Sequence, residues 1–156
     1  MTHLLPDEAA TLAFGAALAG VLRPGLKIYL VGDLGAGKTT LARGILQGLG
    51  YVGKVKSPTY TLVEVYTVSS LYLYHFDFYR FVDPQEWFDA GFREYFNADT
   101  VCLVEWPEKA GEFLPPPDLQ ICLTVDQGGR SLQANAETEA GTRCLAGLNS
   151  AVRYQR

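Results

Sequence analysis

No stretch of the chain approaches the ~18 consecutive apolar residues that a membrane-spanning helix requires. The first residues carry neither a basic cluster nor a long apolar core of the secretory kind. Positive charge is scarce: 13 Lys and Arg against 17 Asp and Glu leave a net charge of −4, which argues against binding nucleic acid through bulk charge. Cysteine is scarce too. Cys102, Cys122 and Cys144 lie too far apart for metal-ligand spacing. Their odd number and mostly apolar neighbours read as reduced thiols in a cytoplasmic protein. There is no internal repeat and no low-complexity segment, and the triple proline at 115–117 is too short to link domains. What the chain has in quantity is apolar. Hydrophobic residues make up 48% and charged ones 19% of 156 residues, which suits a sizeable core in a single domain over 1–156.

The most informative stretch is Gly32-Asp33-Leu34-Gly35-Ala36-Gly37-Lys38-Thr39-Thr40, whose first eight residues match G-x-x-x-x-G-K-[ST] at every fixed position. The apolar run Leu26–Val31 precedes it, and a helix-compatible run from Thr39 to Leu49 follows. Strand, glycine loop and helix are the context in which this motif cradles phosphate. Gly35 and Gly37 let successive backbone N–H groups turn toward one anion, and the helix start adds its positive dipole end. Lys38 can reach outer phosphates, and the Thr39 hydroxyl suits a hard magnesium ion.

In chain order, Pro6-Asp7-Glu8 opens a first helix with an apolar stripe at Phe14, Leu18, Val21 and Leu22. Glu8 alone reads as a helix-start charge. Lys54–Thr61 is a loop. Thr59 and Thr61 suit a switch that orders on γ-phosphate and magnesium, and equally an ordinary Ser-Pro turn. Leu62–Tyr66 and Leu71–Phe76 read as an antiparallel hairpin joined by a turn over Thr67–Ser70. His75 has no partner at ligand spacing and reads as a structural hydrogen-bonding residue. Asp77 ends the second run, where a magnesium ligand or water-orienting base would sit. Asp83 as N-cap and Pro84 in the first turn start another helix. Val101–Val104, apolar without alternation, predicts a strand buried on both faces, and Glu105 at its end is the expected position of a Walker-B-type acid. Leu119–Val125 and Leu132–Ala136 predict a last hairpin around residues 127–130. A weak final helix over Glu137–Val152 and a ragged 153–156 tail follow.

Four motifs in this order resemble the bacterial TsaE (YjeE) family of small P-loop ATPases: the glycine loop, Ser57-Pro58-Thr59-Tyr60-Thr61-Leu62-Val63-Glu64, His75-Phe76-Asp77-Phe78-Tyr79-Arg80 and Val104-Glu105-Trp106-Pro107-Glu108. The resemblance implies an α/β P-loop NTPase fold with a mixed parallel and antiparallel sheet flanked by helices. It implies a magnesium-dependent ATPase needed to form threonylcarbamoyladenosine in tRNAs reading ANN codons. Its partners would be TsaD, which transfers the carbamoyl group, and TsaB, with tRNA met only through them and no membrane involved. It implies ATP contacts along Asp33, Leu34, Gly35, Ala36, Gly37, Lys38, Thr39 and Thr40. It further implies magnesium at Thr39 and Glu105, hydrolysis served by Asp77 and Glu105, and a site shaped by Trp106. Glu8 and Gly129 become ATP contacts by the same resemblance. Phe78, Phe81 and Trp87 depart from the family's usual residues but stay apolar.

Two other readings of the P-loop are weaker. A small-molecule kinase needs a lid with clustered arginines, and between residues 60 and 125 only Arg80 and Arg93 occur. A GTPase would carry Asn-Lys-x-Asp, which is absent. A binding module without turnover would not need Lys38, Thr39, Asp77 and Glu105 together.

Overall fold

The buried runs set the architecture. In the computed structural model, which describes residues 1–154, the central strands are β2 (Lys27–Val31) and β5 (Thr100–Glu105). Every residue of β5 is buried, as expected of a strand covered on both faces. The chain also forms β1 (Thr2–Leu5), α1 (Glu8–Ala19), α2 (Lys38–Gly48), β3 (Val63–Val68), β4 (Leu71–Asp77) and α3 (Gln85–Asp89). It ends with β6 (Leu119–Asp126), β7 (Gly129–Ala136) and α4 (Glu139–Tyr154). Short 3₁₀ turns lie at Phe92–Tyr95 and Pro107–Phe113.

The seven strands form one sheet in the order β1-β7-β6-β2-β5-β4-β3. Its centre, β6-β2-β5-β4, is parallel, and β7, β1 and β3 add antiparallel edges. Helices α1, α2 and α4 share a core with one face, through Phe14, Leu18, Leu41, Ile45 and Leu148 against Ile28, Leu30 and Leu103. An aromatic layer including Phe76, Phe78, Trp87 and Phe92 covers the other face, over Tyr29, Cys102 and Val104. A glycine loop between β2 and α2, with a parallel centre and helices on both faces, is the P-loop fold with the mixed sheet that the motif order implied.

Helices α1 and α2 cross closely because glycine lies at the crossing. A Cβ on Gly44 would stand 2.7 Å from the Leu12 carbonyl oxygen, and one on Gly15 would stand 2.8 Å from Gly44 backbone. Asp7 caps α1, its carboxylate accepting from the Ala10 N–H at 2.8 Å.

Several expectations need correction. Val21 and Leu22, expected on the first helix, lie past its end at Ala19, where the chain turns toward Pro24-Gly25, and Gly129 and Arg130, expected in the last turn, already pair in β7. Strand β1 was not anticipated; it pairs with β7, Thr2 facing Gln133 and Leu5 facing Arg130. The β3–β4 turn is only Ser69-Ser70, both at positive φ (53° and 62°), because a tight hairpin of this hand matches the strands' twist. Thr67 and Val68 therefore belong to β3. The N-cap of α3 is Pro84, although the Asp83 carboxylate still accepts from the Gln85 N–H at 2.9 Å. The last helix starts two residues later than expected, where the Thr138 hydroxyl accepts from the Gly141 N–H at 3.1 Å. It runs through Tyr154, and the remainder of the expected tail, 155–156, lies outside the described residues.

Candidate functional site

The parallel centre of the sheet brings three strand ends together. β2 runs into the glycine loop, and Asp77 on β4 faces Glu105 on β5 in register. Ligands gather at the carboxyl ends of parallel strands because loops and helix starts converge there. A cavity of about 300 Å³ opens at this point, lined by Gly37, Lys38, Thr39, Asp77, Glu105 and Trp106 among others. Leu34, Gly35, Thr40 and Thr59 also line it, so most of the loop and Thr59 share one space.

The loop turns because its glycines hold positive φ, 79° at Gly35 and 105° at Gly37. A side chain there would be strained. Gly37 is the N-cap of α2 and has no side chain to satisfy the first N–H groups, which leaves them free for an anion. The outward carbonyls of the loop are held from behind. Arg130 donates from Nε to the Ala36 carbonyl at 3.0 Å and from Nη2 to the Gly35 carbonyl at 2.9 Å. Its Nη1 also reaches the Gly129 carbonyl at 2.9 Å.

Lys38 is almost fully buried. Its ammonium donates to the Gly32 carbonyl and, at 3.0 Å, to the Asp33 carbonyl. It also lies 4.2 Å from the centre of the Trp106 ring, a cation–π contact. Burial pushes its pKa down, while the charges of Glu105, Glu108, Asp77 and Asp33 push it back up. Trp106 takes left-handed backbone, φ 57°, rare for a bulky residue. This turn sends the chain away from β5 and lays the ring over Lys38 and against Tyr79, whose ring is 5.0 Å away.

The two carboxylates are differently dressed. Glu105 is 2% exposed; its oxygens lie 3.1 and 3.2 Å from the Thr39 hydroxyl, and Oε2 lies 2.6 Å from His75 Nε2. Asp77 accepts from the Thr59 hydroxyl at 3.0 Å and from the Tyr79 N–H at 2.9 Å. Burial raises the Asp77 pKa, opposed by the Tyr79 N–H; the Glu105 charge adds to the rise.

The remaining candidates are spread out. Glu8 and Gly129 line a second cavity of about 210 Å³ behind the loop, shared with Gly35, Gly37, Thr40 and Arg130. There Glu8 pairs with Arg43 at 2.6 Å. Asp33 and Ala36 face away from the main cavity, toward Leu123 and Thr124, and Ala36 is buried in the core. Thr61 joins neither cavity; its hydroxyl donates to Glu64 at 3.0 Å. Two features escaped the sequence reading. His75 was assigned a structural bond, and that bond goes to Glu105. The resemblance sets the pair Gly129-Arg130 beside the nucleotide, but the brace that Arg130 makes to the loop carbonyls has no local signal, because nothing tells an arginine which carbonyls it will meet.

Comparison with known proteins agrees with this geometry. Residues 5–132 match the family model of the threonylcarbamoyl adenosine biosynthesis protein TsaE. A tRNA threonylcarbamoyladenosine biosynthesis protein TsaE from Haemophilus influenzae is 43% identical, over 96% of this chain and 98% of its own. One from Bacillus subtilis is 45% identical, over 76% of this chain and 72% of its own. A crystal structure of Bacillus subtilis YdiB superposes with a TM-score of 0.80 at 32% identity, covering 100% of this chain and 96% of that one. Glycine loop, paired strand-end carboxylates and overall likeness agree: the chain belongs to the TsaE family.

Proposed function

We propose that this protein is a magnesium-dependent ATPase acting as an accessory subunit with TsaB and TsaD in forming threonylcarbamoyladenosine in tRNAs reading ANN codons. The observation that carries the reading is the convergence of Lys38, Thr39, Asp77 and Glu105 on one cavity at the carboxyl ends of β2, β4 and β5. The family membership supplies the pathway.

The donor set fits magnesium. The Thr39 hydroxyl and the Glu105 carboxylate are hard oxygens already within 3.2 Å of each other, and magnesium takes few protein ligands beside phosphate oxygens and water. When bound, it would neutralise charge building on the phosphates. The chain's own residues do the rest. The N–H groups of the glycine loop and the start of α2 hold the phosphate chain. Lys38 exchanges its carbonyl partners for the outer phosphates. Asp77 orients the attacking water and takes its proton at a carboxylate oxygen. Trp106 and Tyr79 line the same cavity, their rings in contact. The nucleoside fits the cavity behind the loop, beside Glu8 and Gly129.

Hydrolysis by the isolated chain is expected to be slow. Among the described residues, no arginine lines the main cavity, so the phosphoryl group in flight meets Lys38 as its single cationic side chain. A partner that completes or orders the site would accelerate it. The test is ATP hydrolysis with and without the TsaB–TsaD pair, with Lys38→Ala and Glu105→Ala alongside. Stimulation by the pair, abolished in both variants, is expected. Equal rates with and without the pair would overturn the accessory role, and transfer of phosphate to a small acceptor would overturn hydrolysis.

A further inference from the structure

His75 lies on the same face of β4 as Asp77, two residues earlier, and diagonally across from Glu105 on the neighbouring parallel strand. It is fully buried. Its Nε2 sits 2.6 Å from Glu105 Oε2. Among the described residues its Nδ1 has no hydrogen-bond partner. A carboxylate only accepts, so Nε2 carries the proton of this bond. A histidine kept for the core alone would be expected to use both ring nitrogens, since a buried polar atom without a partner weakens the fold. This ring gives up one of them and spends the other on Glu105.

The other hydrogen-bond partner recorded for the Glu105 carboxylate is the Thr39 hydroxyl, which the proposed reaction turns toward magnesium. The two differ in what they can do on loading. Thr39 lies in the first turn of α2, beside the phosphate-binding loop, whereas His75 is fixed in the sheet. We propose that His75 is the positioning residue of Glu105. It holds Oε2 at 2.6 Å and fixes the plane of the carboxylate, so that the edge facing Thr39 keeps its orientation toward the cavity. This is the outer partner that metal-ligating groups need to keep their orientation, and it rests on the reading of Glu105 as the magnesium-side acid. It also separates the two carboxylates: Glu105 is anchored within the sheet, while Asp77 is held by the loop residue Thr59 and the Tyr79 N–H.

The test uses His75→Gln and His75→Asn in the full chain. Both are polar and smaller than histidine. The glutamine amide reaches to the position of Nε2, and the asparagine amide stops near Nδ1. ATP binding is measured by calorimetry with magnesium and with chelator, hydrolysis is titrated with magnesium, and melting is recorded for each. His75→Asn should need 10- to 100-fold more magnesium for half-maximal hydrolysis, with chelator-condition ATP affinity within about twofold of the parent. His75→Gln should recover most of the loss at the same melting temperature as His75→Asn. Unchanged magnesium dependence in His75→Asn overturns the proposal, and so does equal loss in both variants or loss of chelator-condition affinity. Glu105→Ala run in parallel, its magnesium dependence read from ATP binding by calorimetry with magnesium and with chelator, separates the two readings. If it alone shifts the magnesium dependence, the positioning role fails and Glu105 keeps its own. If neither substitution shifts it, both readings fall.

Discussion

Asp77 and Glu105 are neighbours in register, yet their surroundings differ. Glu105 is held by His75 and faces Thr39, a pairing suited to a metal-side ligand. Asp77 sits where burial raises its pKa, which makes a carboxylate a better proton acceptor. Asp77→Asn is therefore expected to lower kcat by 10²-fold or more, the range typical of lost general-base catalysis, while leaving ATP affinity near the parent value. Glu105→Ala should instead weaken ATP binding only when magnesium is present. Binding isotherms with and without chelator, set beside single-turnover rates, check both. Both acids were legible in the sequence because each ends an apolar strand beside a glycine-loop motif. The Trp106 cation–π contact was not, since it depends on a left-handed turn that a tryptophan rarely makes.

Among the elements, the crossing of α1 and α2 gives the sharpest expectation, because two effects predict opposite signs. Helix propensity says that Gly44→Ala should stabilise by about 1 kcal/mol. The crossing says otherwise: the new methyl would stand 2.7 Å from the Leu12 carbonyl oxygen, and forcing backbone apart in a packed core costs about 1–3 kcal/mol. Sterics should win, and the melting temperature should fall by roughly 2–8 °C for a chain of this size. The β6–β7 hairpin matters for a different reason, since it delivers Arg130 to the loop carbonyls. Arg130→Gln loses charge-assisted bonds of about 1.5–3 kcal/mol each. Part of that loss should surface as roughly tenfold weaker ATP binding in both magnesium and chelator, measured by calorimetry. Elements with strong patterns were readable: the buried strand β5, the antiparallel hairpins, the helix after the glycine loop. Strand β1 was not. Of its residues only Leu5 is buried, and its partner strand lies at the other end of the sequence. Nor does the sequence reveal that glycines of α1 and α2 meet, because each looks like a weak point in its own helix.

For the molecule as a whole, the buried thiols give a pH signature. Burial pushes Cys102 and Cys144 up to about 11 from an ordinary thiol value of 9.0. In the unfolded chain they ionise near that ordinary value, so between about pH 9 and pH 11 the folded state holds protons that the unfolded state has released. Their contribution to stability is fully present below pH 9 and is lost as the pH rises through about 11. The urea midpoint should fall across this window, and less steeply in a Cys102→Ala, Cys144→Ala double variant. The sheet order carries one more consequence, for the order in which the molecule is made. Strand β2, which leads into the glycine loop, is flanked by β5 and β6, with Ile28 opposite both Leu103 and Leu119. Both neighbours are synthesised long after it. At roughly 5–20 residues per second, the emerging chain carries an unpaired apolar strand outside the ribosome for several seconds. Arg130, the brace of the loop, comes later still. Strand β2 therefore waits unpaired until β5 and β6 are made, and the glycine loop waits longer still for its Arg130 brace.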